Sequence, residues 1–330
     1  MRKVEYMKRR YTVFNKTNFK ICLINILAAT LFSSILLGCS AEKDEGIKYV
    51  IGVSQPNLSE SWRIAMNDEI RREASENDDV KVVFYDAGQD INKQKKDLQS
   101  LMSQKIDALI ISVNDTKSLS DDIGIMKKAG VPVIVVGYPP EGITCDMLVF
   151  CDNFKLGKLA GEYAAETLGD NGGNILEVQG DSDSIITKER KNGFRVGIGS
   201  NPKIKVEYVV VGYWLRDKTE ERVTEIFDKE PKVDFVFAHN DAMAIGASRI
   251  AEQKGLDTKC VGIGGLMPDA DGLNAVEKGT LDATFIFPTG GREALQYALK
   301  ILQGEVMPER YELRPVRITK ENVHSFIQGK

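Results

Sequence analysis

Trp62 and Arg63 stand side by side after a run of small polar residues, Ser54-Gln55-Pro56-Asn57-Leu58-Ser59-Glu60-Ser61. An indole lies flat against C–H groups and a guanidinium reaches oxygens, so this loop suits a polyol. The alternative is that Trp62 merely opens an apolar helical stripe and Arg63 is solvated. Trp214 lies in Gly212-Tyr213-Trp214-Leu215-Arg216-Asp217, ahead of a helical pattern rather than on its apolar face, which favours a cleft-lining role. Asp217 is read as a cap for that helix. Arg190 follows Lys188-Glu189, either a ligand contact or part of a surface charge run, and Asn240 offers an amide that both donates and accepts.

Catalytic material is sparse. The chain has two histidines, His239 and His324, too few for a histidine zinc site and poor stock for a Ser/His/Asp relay. His239, beside Asn240, is read as a cleft candidate and His324 as solvated. There is no Gly-x-Ser-x-Gly elbow and no phosphate loop ending in Gly-Lys-Ser/Thr. Gly262-x-Gly264-Gly265 lacks the third glycine of a dinucleotide loop and reads as a permissive turn. No cofactor or metal is expected, and the pattern is that of a binder rather than an enzyme.

The elements that must carry these residues alternate, as in parallel α/β proteins. Strands are expected at 49–53, 80–85, 108–113 and 131–136, with helices from Trp62 through Met66, Ile70 and Ala74, at 92–104 and at 118–129. The alternation restarts near Cys151: helix 155–168, turn 169–173, strand 174–178, helix 187–197, strand 204–211 and helix 218–228. Strand 234–238, helix 242–253, strands 260–263 and 283–287, and helix 292–302 follow. Lys105-Ile106-Asp107 followed by Asn114-Asp115 is echoed by Lys232-Val233-Asp234 followed by Asn240-Asp241, which points to two lobes of one topology. Ligands of open α/β sheets bind beyond the carboxyl ends of the strands. Two such lobes facing each other enclose one cleft.

The first 38 residues hold seven bases and one acid, then an apolar run, Ile21 to Leu37, that stops at Gly38-Cys39. This is an export signal, and Leu36-Leu37-Gly38-Cys39 resembles the lipobox of bacterial lipoproteins, in which cleavage precedes an acylated cysteine; a plain membrane anchor is the alternative. Residues 40–46 read as a polar tether. Of 330 residues 42% are hydrophobic and 28% charged, a globular balance. Without the signal, 37 bases face 47 acids, a charge of about −10 that argues against nucleic acid. Cys145, Cys151 and Cys260 remain after Cys22 and Cys39 are set aside; the first two are close enough in sequence to pair, but free thiols are the favoured reading.

From Lys48 onward the chain resembles the periplasmic sugar-binding proteins of the ribose and galactofuranose type. The matching stretches are Ser54 with Ser59-Glu60-Ser61-Trp62-Arg63, Asp152-Asn153 with Gly157-Lys158-Leu159-Ala160-Gly161, Glu177-Val178-Gln179-Gly180, Lys188-Glu189-Arg190 with Gly193-Phe194, and His239-Asn240-Asp241 running to Ala247. The resemblance implies the type I periplasmic binding fold: two similar doubly wound parallel-sheet α/β lobes joined by three crossing strands, near Cys151, Phe287 and Arg314. It divides the chain into signal 1–38, tether 39–47, an N-terminal lobe of 48–151 with 288–314, and a C-terminal lobe of 152–287 with 315–330.

By the same resemblance Ser54, Trp62, Arg63 and Ser112 contact ligand from the first lobe, and Arg190, Trp214 and Asn240 from the second. Where ribose-type proteins carry Asp-Arg after the fourth strand this chain has Gly137-Tyr138, and Gly264 replaces a further aspartate. Tyr138 and Gly264 therefore join the candidate site, and the lost acids point away from an ordinary neutral pentose or hexose toward a ligand with a carboxylate, phosphate or borate. Gly262-Ile263-Gly264-Gly265 and Phe287-Pro288-Thr289-Gly290-Gly291 also resemble the domains that feed sensor histidine kinases, including the autoinducer-2 receptor. The expected role is that of a monomeric, lipid-anchored, extracytoplasmic binder delivering a sugar-like molecule to an ABC permease; a receptor subunit for a sensor histidine kinase is the alternative. A repressor core or an exported enzyme fits less well.

Overall fold

The computed structural model describes residues 46–327 except 114–115, 139–141, 143, 230–231 and 266–271. The expected export signal, Cys39, and the Asn114-Asp115 part of the internal echo lie outside the described residues.

Two six-stranded sheets form the frame. The first runs β11-β5-β4-β3-β1-β2 and the second β12-β10-β9-β8-β6-β7, the same order in each. Sheet one comprises β1 (Tyr49–Gln55), β2 (Val80–Asp86), β3 (Ala108–Ile111), β4 (Val133–Val136), β5 (Met147–Cys151) and β11 (Arg310–Leu313). Sheet two comprises β6 (Gly173–Gln179), β7 (Ile204–Val211), β8 (Phe235–Ala238), β9 (Lys259–Gly264), β10 (Ala283–Ile286) and β12 (Val316–Thr319). All pairings are parallel except β10 with β12. The interior strands β3, β4, β8 and β10 are buried at every residue, as expected of strands covered on both faces.

The helices are α1 (Ser61–Ser75), α2 (Ile91–Ser103), α3 (Thr116–Lys128), α4 (Asn153–Leu168), α5 (Ile185–Gly197), α6 (Arg216–Phe227), α7 (Asp241–Gln253), α8 (Gly272–Lys278), α9 (Gly291–Leu302) and α10 (Val323–Ile327). The chain passes between the sheets three times: from β5 to α4, from β10 to α9, and from β11 to β12.

The internal echo has a physical basis. Asp107, just before β3, accepts the Val50 amide of β1 at 2.7 Å, and Asp234, just before β8, accepts the Asn174 amide of β6 at 2.8 Å. Asp146 and Asp282 repeat the device, each at 2.8 Å, for β4 and β9. Each carboxylate satisfies an amide at the beginning of a neighbouring strand, a donor that burial would otherwise leave unpaired.

Several expectations are corrected. The residue pattern did not mark the strands Met147–Cys151, Arg310–Leu313 and Val316–Thr319, where the resemblance had implied only crossings near Cys151 and Arg314, nor the helices α8 and α10, all being short and without strong periodicity. The expected 131–136 strand begins at Val133, after Pro132, whose missing N–H cannot join a ladder. The 169–173 turn resolves into a 3-10 turn, Gly169–Asn171, leading directly into β6. Asp217 does not cap α6: that helix begins at Arg216, its cap position is Leu215 with no side-chain bond, and Asp217 sits in the first turn. Cys145, Cys151 and Cys260 are free thiols, the last two buried, and burial pushes the Cys151 thiol up to about 12.

One seam fixes the second lobe. Gly157 and Gly161 on α4 face Gly193 and Gly197 on α5, so closely that a Cβ on Gly157 would lie 2.1 Å from the Arg190 carbonyl oxygen and one on Gly193 2.0 Å from that of Phe154. The two backbones touch. Below them Phe194 stacks on Phe237, with centroids 4.1 Å apart and both rings fully buried, which contributes about 1.5–3 kcal/mol each.

Candidate functional site

The first-lobe half is built on a buried polar network. Ser54 and Gln55 at the end of β1, Asn57 and Arg63 beyond it, Asn67 on α1, Gln94 on α2 and Ser112 after β3 are all buried. The Arg63 guanidinium donates to Gln55 Oε1 at 3.3 Å, to Glu60 Oε1 at 3.2 Å and to Ser112 Oγ, and lies 4.4 Å over the Trp62 ring. Glu60 also accepts from Asn57 at 2.9 Å and from the Trp62 indole N–H at 2.8 Å. Burial alone would raise the Glu60 carboxyl, but the Arg63 charge and these bonds hold it below its ordinary value. Gln94 donates to Ser54 Oγ at 3.3 Å and to the Ser112 carbonyl at 3.0 Å. Ser54 and Ser112 thus stand in the network behind Arg63.

The second-lobe half centres on Arg190. Its Nε donates to Asn153 Oδ1 at 2.9 Å, across the glycine seam, and its Nη1 to the His239 carbonyl. Burial pushes its pKa down to about 10. The Trp214 ring covers Gly180, where a Cβ would lie 2.1 Å from Cζ2, so only glycine fits beneath it. Tyr213 and Trp214 hold φ values of +53° and +65°, a left-handed region costly for non-glycine residues. Asn240 holds that turn: its Nδ2 donates to the Trp214 carbonyl at 3.0 Å while its Oδ1 caps α7 through the Met243 amide at 2.8 Å.

The halves meet. Phe287, in the β10–α9 crossing, lies edge-on to Trp62 at 6.1 Å and 5.5 Å from the Arg190 guanidinium, which is also 5.7 Å from Trp214. Tyr138 donates to Glu189 Oε1 at 3.4 Å, a contact from one lobe to the other. A Cβ on Gly137 would meet the Trp62 ring at 3.4 Å, an ordinary contact; its φ of +110° is what calls for glycine there. Gly264 ends β9 at φ +153°. The arrangement gathers two guanidinium groups, two indoles and a phenyl ring at the carboxyl ends of both sheets.

Sequence reasoning passed over Phe287, although its motif was noted, because the crossing gives no periodic signal. It also passed over Asn153 and over Glu60 as the partner of Arg63. His239 is corrected: it does not face the cleft but is fully buried, its Nε2 at 3.1 Å from Glu177 Oε1. Glu177, equally buried, also accepts from Arg195 at 2.8 Å and Gln179 at 3.0 Å. Burial lowers the pKa of His239; it would raise that of Glu177, but His239 and Arg195 hold the carboxyl below its ordinary value. A neutral imidazole donating to a carboxylate satisfies both directions. His324 is solvent-exposed and faces Glu277. A separate open depression of about 360 Å³ beside Trp214 is lined by Leu215, Arg216, Asp217, Glu220, Ala242 and Arg249. Among the described residues no group of three or more His, Cys, Asp or Glu side chains could hold a metal ion, and no helix is long and apolar enough to cross a membrane.

The model of the periplasmic binding protein domain matches residues 51–305, and the chain belongs to that family. The ribose import binding protein of Bacillus subtilis (strain 168) is 30% identical over 268 residues, 78% of this chain and 85% of the relative. Among solved structures, the fructose-binding periplasmic domain of a hybrid two-component system is 34% identical with a TM-score of 0.73, covering 86% of this chain and 94% of that one. A solute-binding protein of an ABC transporter from Bacillus halodurans C-125, with bound myo-inositol, is 26% identical with a TM-score of 0.75, covering 87% and 100%.

Proposed function

We propose that this chain is an extracytoplasmic solute-binding protein, lipid-anchored through Cys39, that captures a sugar or sugar-like molecule by lobe closure and presents it to an ABC importer. The observation that carries the reading is the convergence of Trp62 and Arg63 from one lobe with Arg190 and Trp214 from the other, around Phe287 in a crossing segment. Rings bind the C–H faces of a ligand and guanidinium groups its oxygens. Binding residues on two hinged lobes give the ligand higher affinity for the closed state, which is what shifts the population toward closure. Family membership supports extracytoplasmic solute capture, and the lipobox-like Leu36-Leu37-Gly38-Cys39 supports the anchor. In this reading the lobes comprise 48–151 with 288–314 and 152–287 with 315–330, Ser54, Ser112, Tyr138, Asn240 and Gly264 complete the site, and the protein acts as a monomer.

Titration of the purified chain with a carbohydrate panel, followed by calorimetry and tryptophan fluorescence, tests the proposal. Saturable binding of at least one sugar or sugar derivative is expected, with a fluorescence change from Trp62 or Trp214; no response to any of them refutes it. A second reading, a receptor subunit for a sensor histidine kinase, is favoured by the likeness to the fructose-binding domain of a hybrid two-component system. Stimulation of a cognate permease ATPase by the loaded protein supports transport, and stimulation of kinase autophosphorylation supports sensing.

A further inference from the structure

Arg190 is a buried cation of the site, and unlike Arg63, which pairs with Glu60, it has no carboxylate partner among the described residues. Two of its five N–H groups are engaged, one by Asn153 Oδ1 and one by the His239 carbonyl, both neutral acceptors. The acids whose charge reaches it are committed elsewhere: Asp241 accepts from the Gly265 amide at 2.5 Å and from Thr284 at 2.7 Å, and Glu189 accepts from Tyr138 at 3.4 Å. The Phe287 and Trp214 rings lie 5.5 and 5.7 Å from the guanidinium.

Four neutral acceptors near the site are also spoken for among the described residues, while the buried Thr187 Oγ1 and His239 Nδ1 have no hydrogen-bond partner. Asn153 Oδ1 is taken by Arg190, Asn240 Oδ1 by the Met243 amide, and Gln55 Oε1 and Ser112 Oγ by Arg63. Gly137 and Gly264 contribute no side chain at all. Arg190 thus leaves donors over while these acceptors are occupied. Each hydroxyl of a neutral polyol that accepts from a guanidinium still has its own proton to place, and a buried donor left unpaired costs binding free energy. A carboxylate or phosphate brings acceptors only and matches the guanidinium edge bidentately.

We infer that the preferred ligand carries an anionic group, a carboxylate or a phosphate, on a sugar-like body, with that group seated on Arg190. This rests on the solute-binding reading and sharpens it to a ligand class. The Trp62, Trp214 and Phe287 rings then take the apolar face of the body.

Calorimetry on the purified full-length chain in detergent, with ligand pairs differing in charge, tests the inference. The probes are D-galactose against D-galacturonate, D-glucose against D-glucuronate, and D-fructose against D-fructose 1-phosphate; the uronates and the phosphate ester distinguish the two anion sources. The expected result is at least one anionic member binding about tenfold or more tighter than its neutral partner, a preference lost in Arg190→Gln and kept in Arg190→Lys. If Arg190→Gln does not fold, the wild-type preference and its retention in Arg190→Lys decide. Neutral members binding as tightly as, or tighter than, their anionic partners overturn the inference and leave the solute-binding reading standing. No binding by any member of the three pairs overturns the inference; extending the titration to the whole carbohydrate panel without response overturns the solute-binding reading as well.

Discussion

Substituting Gly157→Ala is predicted to damage the second-lobe half of the site from a position that carries no side chain. A Cβ there would lie 2.1 Å from the Arg190 carbonyl oxygen and 2.8 Å from its carbonyl carbon and Cα. All three are backbone atoms, so no flexible side-chain end can swing away; α4 and α5 must part by roughly 1 Å to reach ordinary contact. Overpacking of this kind costs about 1–3 kcal/mol and occasionally more, and contact with backbone belongs at the upper end. Alanine's helix propensity offsets about 1 kcal/mol. Parting the helices also stretches the 2.9 Å bond from Arg190 to Asn153, which bridges them. A net loss of about 2 kcal/mol corresponds to a fall in melting temperature of roughly 4–8 °C for a protein of this size. Ligand affinity should fall about tenfold as Arg190 shifts. Gly124→Ala on α3, where a Cβ meets nothing within 4 Å, is the matched control and should leave the melting temperature unchanged or higher. Differential scanning calorimetry and ligand titration read both. A Gly157→Ala protein with wild-type melting temperature and affinity would refute the seam argument.

Gly180→Ala should displace the Trp214 indole, whose Cζ2 would lie 2.1 Å from the new methyl group; shifted tryptophan emission and affinity reduced about tenfold are expected, and unchanged emission counts against the packing described. Arg63→Ala and Trp214→Ala should each weaken binding at least about tenfold while circular dichroism shows a folded protein, since each removes a charge-assisted donor or a stacking surface. The pH dependence of stability should show the Glu177–His239 pair. Because His239 is lowered from 6.5, its neutral form contributes stability that is present above about pH 6.5 and lost as the pH falls toward its folded value. Glu177, lowered from 4.5, adds a second loss below about pH 4.5. His239→Gln should flatten the first of these losses in thermal melts taken from pH 8 to pH 5; an unaltered slope would contradict the assignment.

The double α/β alternation was legible because buried parallel strands are short aliphatic runs separated by amphipathic helices, and because Asp107 and Asp234 mark equivalent strand starts. The short strands β11 and β12 were not legible, since Arg310-Tyr311-Glu312 and Val316-Arg317 are mostly exposed and carry no alternation that separates them from loop. At the site, Trp62, Arg63, Arg190 and Trp214 could be singled out by residue type and by their place after strands. What they touch depended on tertiary geometry. That His239 turns inward follows from Glu177, 62 residues earlier, and that Phe287 reaches both lobes follows from the crossing of the chain, neither of which leaves a local pattern.

The central claim, that one small molecule is held between the two sheets, is tested most directly by a crystal structure of the protein with its tightest-binding carbohydrate. The account predicts density in contact with Trp62 or Arg63 from one lobe and with Arg190 or Trp214 from the other, beside Phe287. Ligand bound instead in the outer depression at Arg216 and Arg249, with nothing between the lobes, would contradict it.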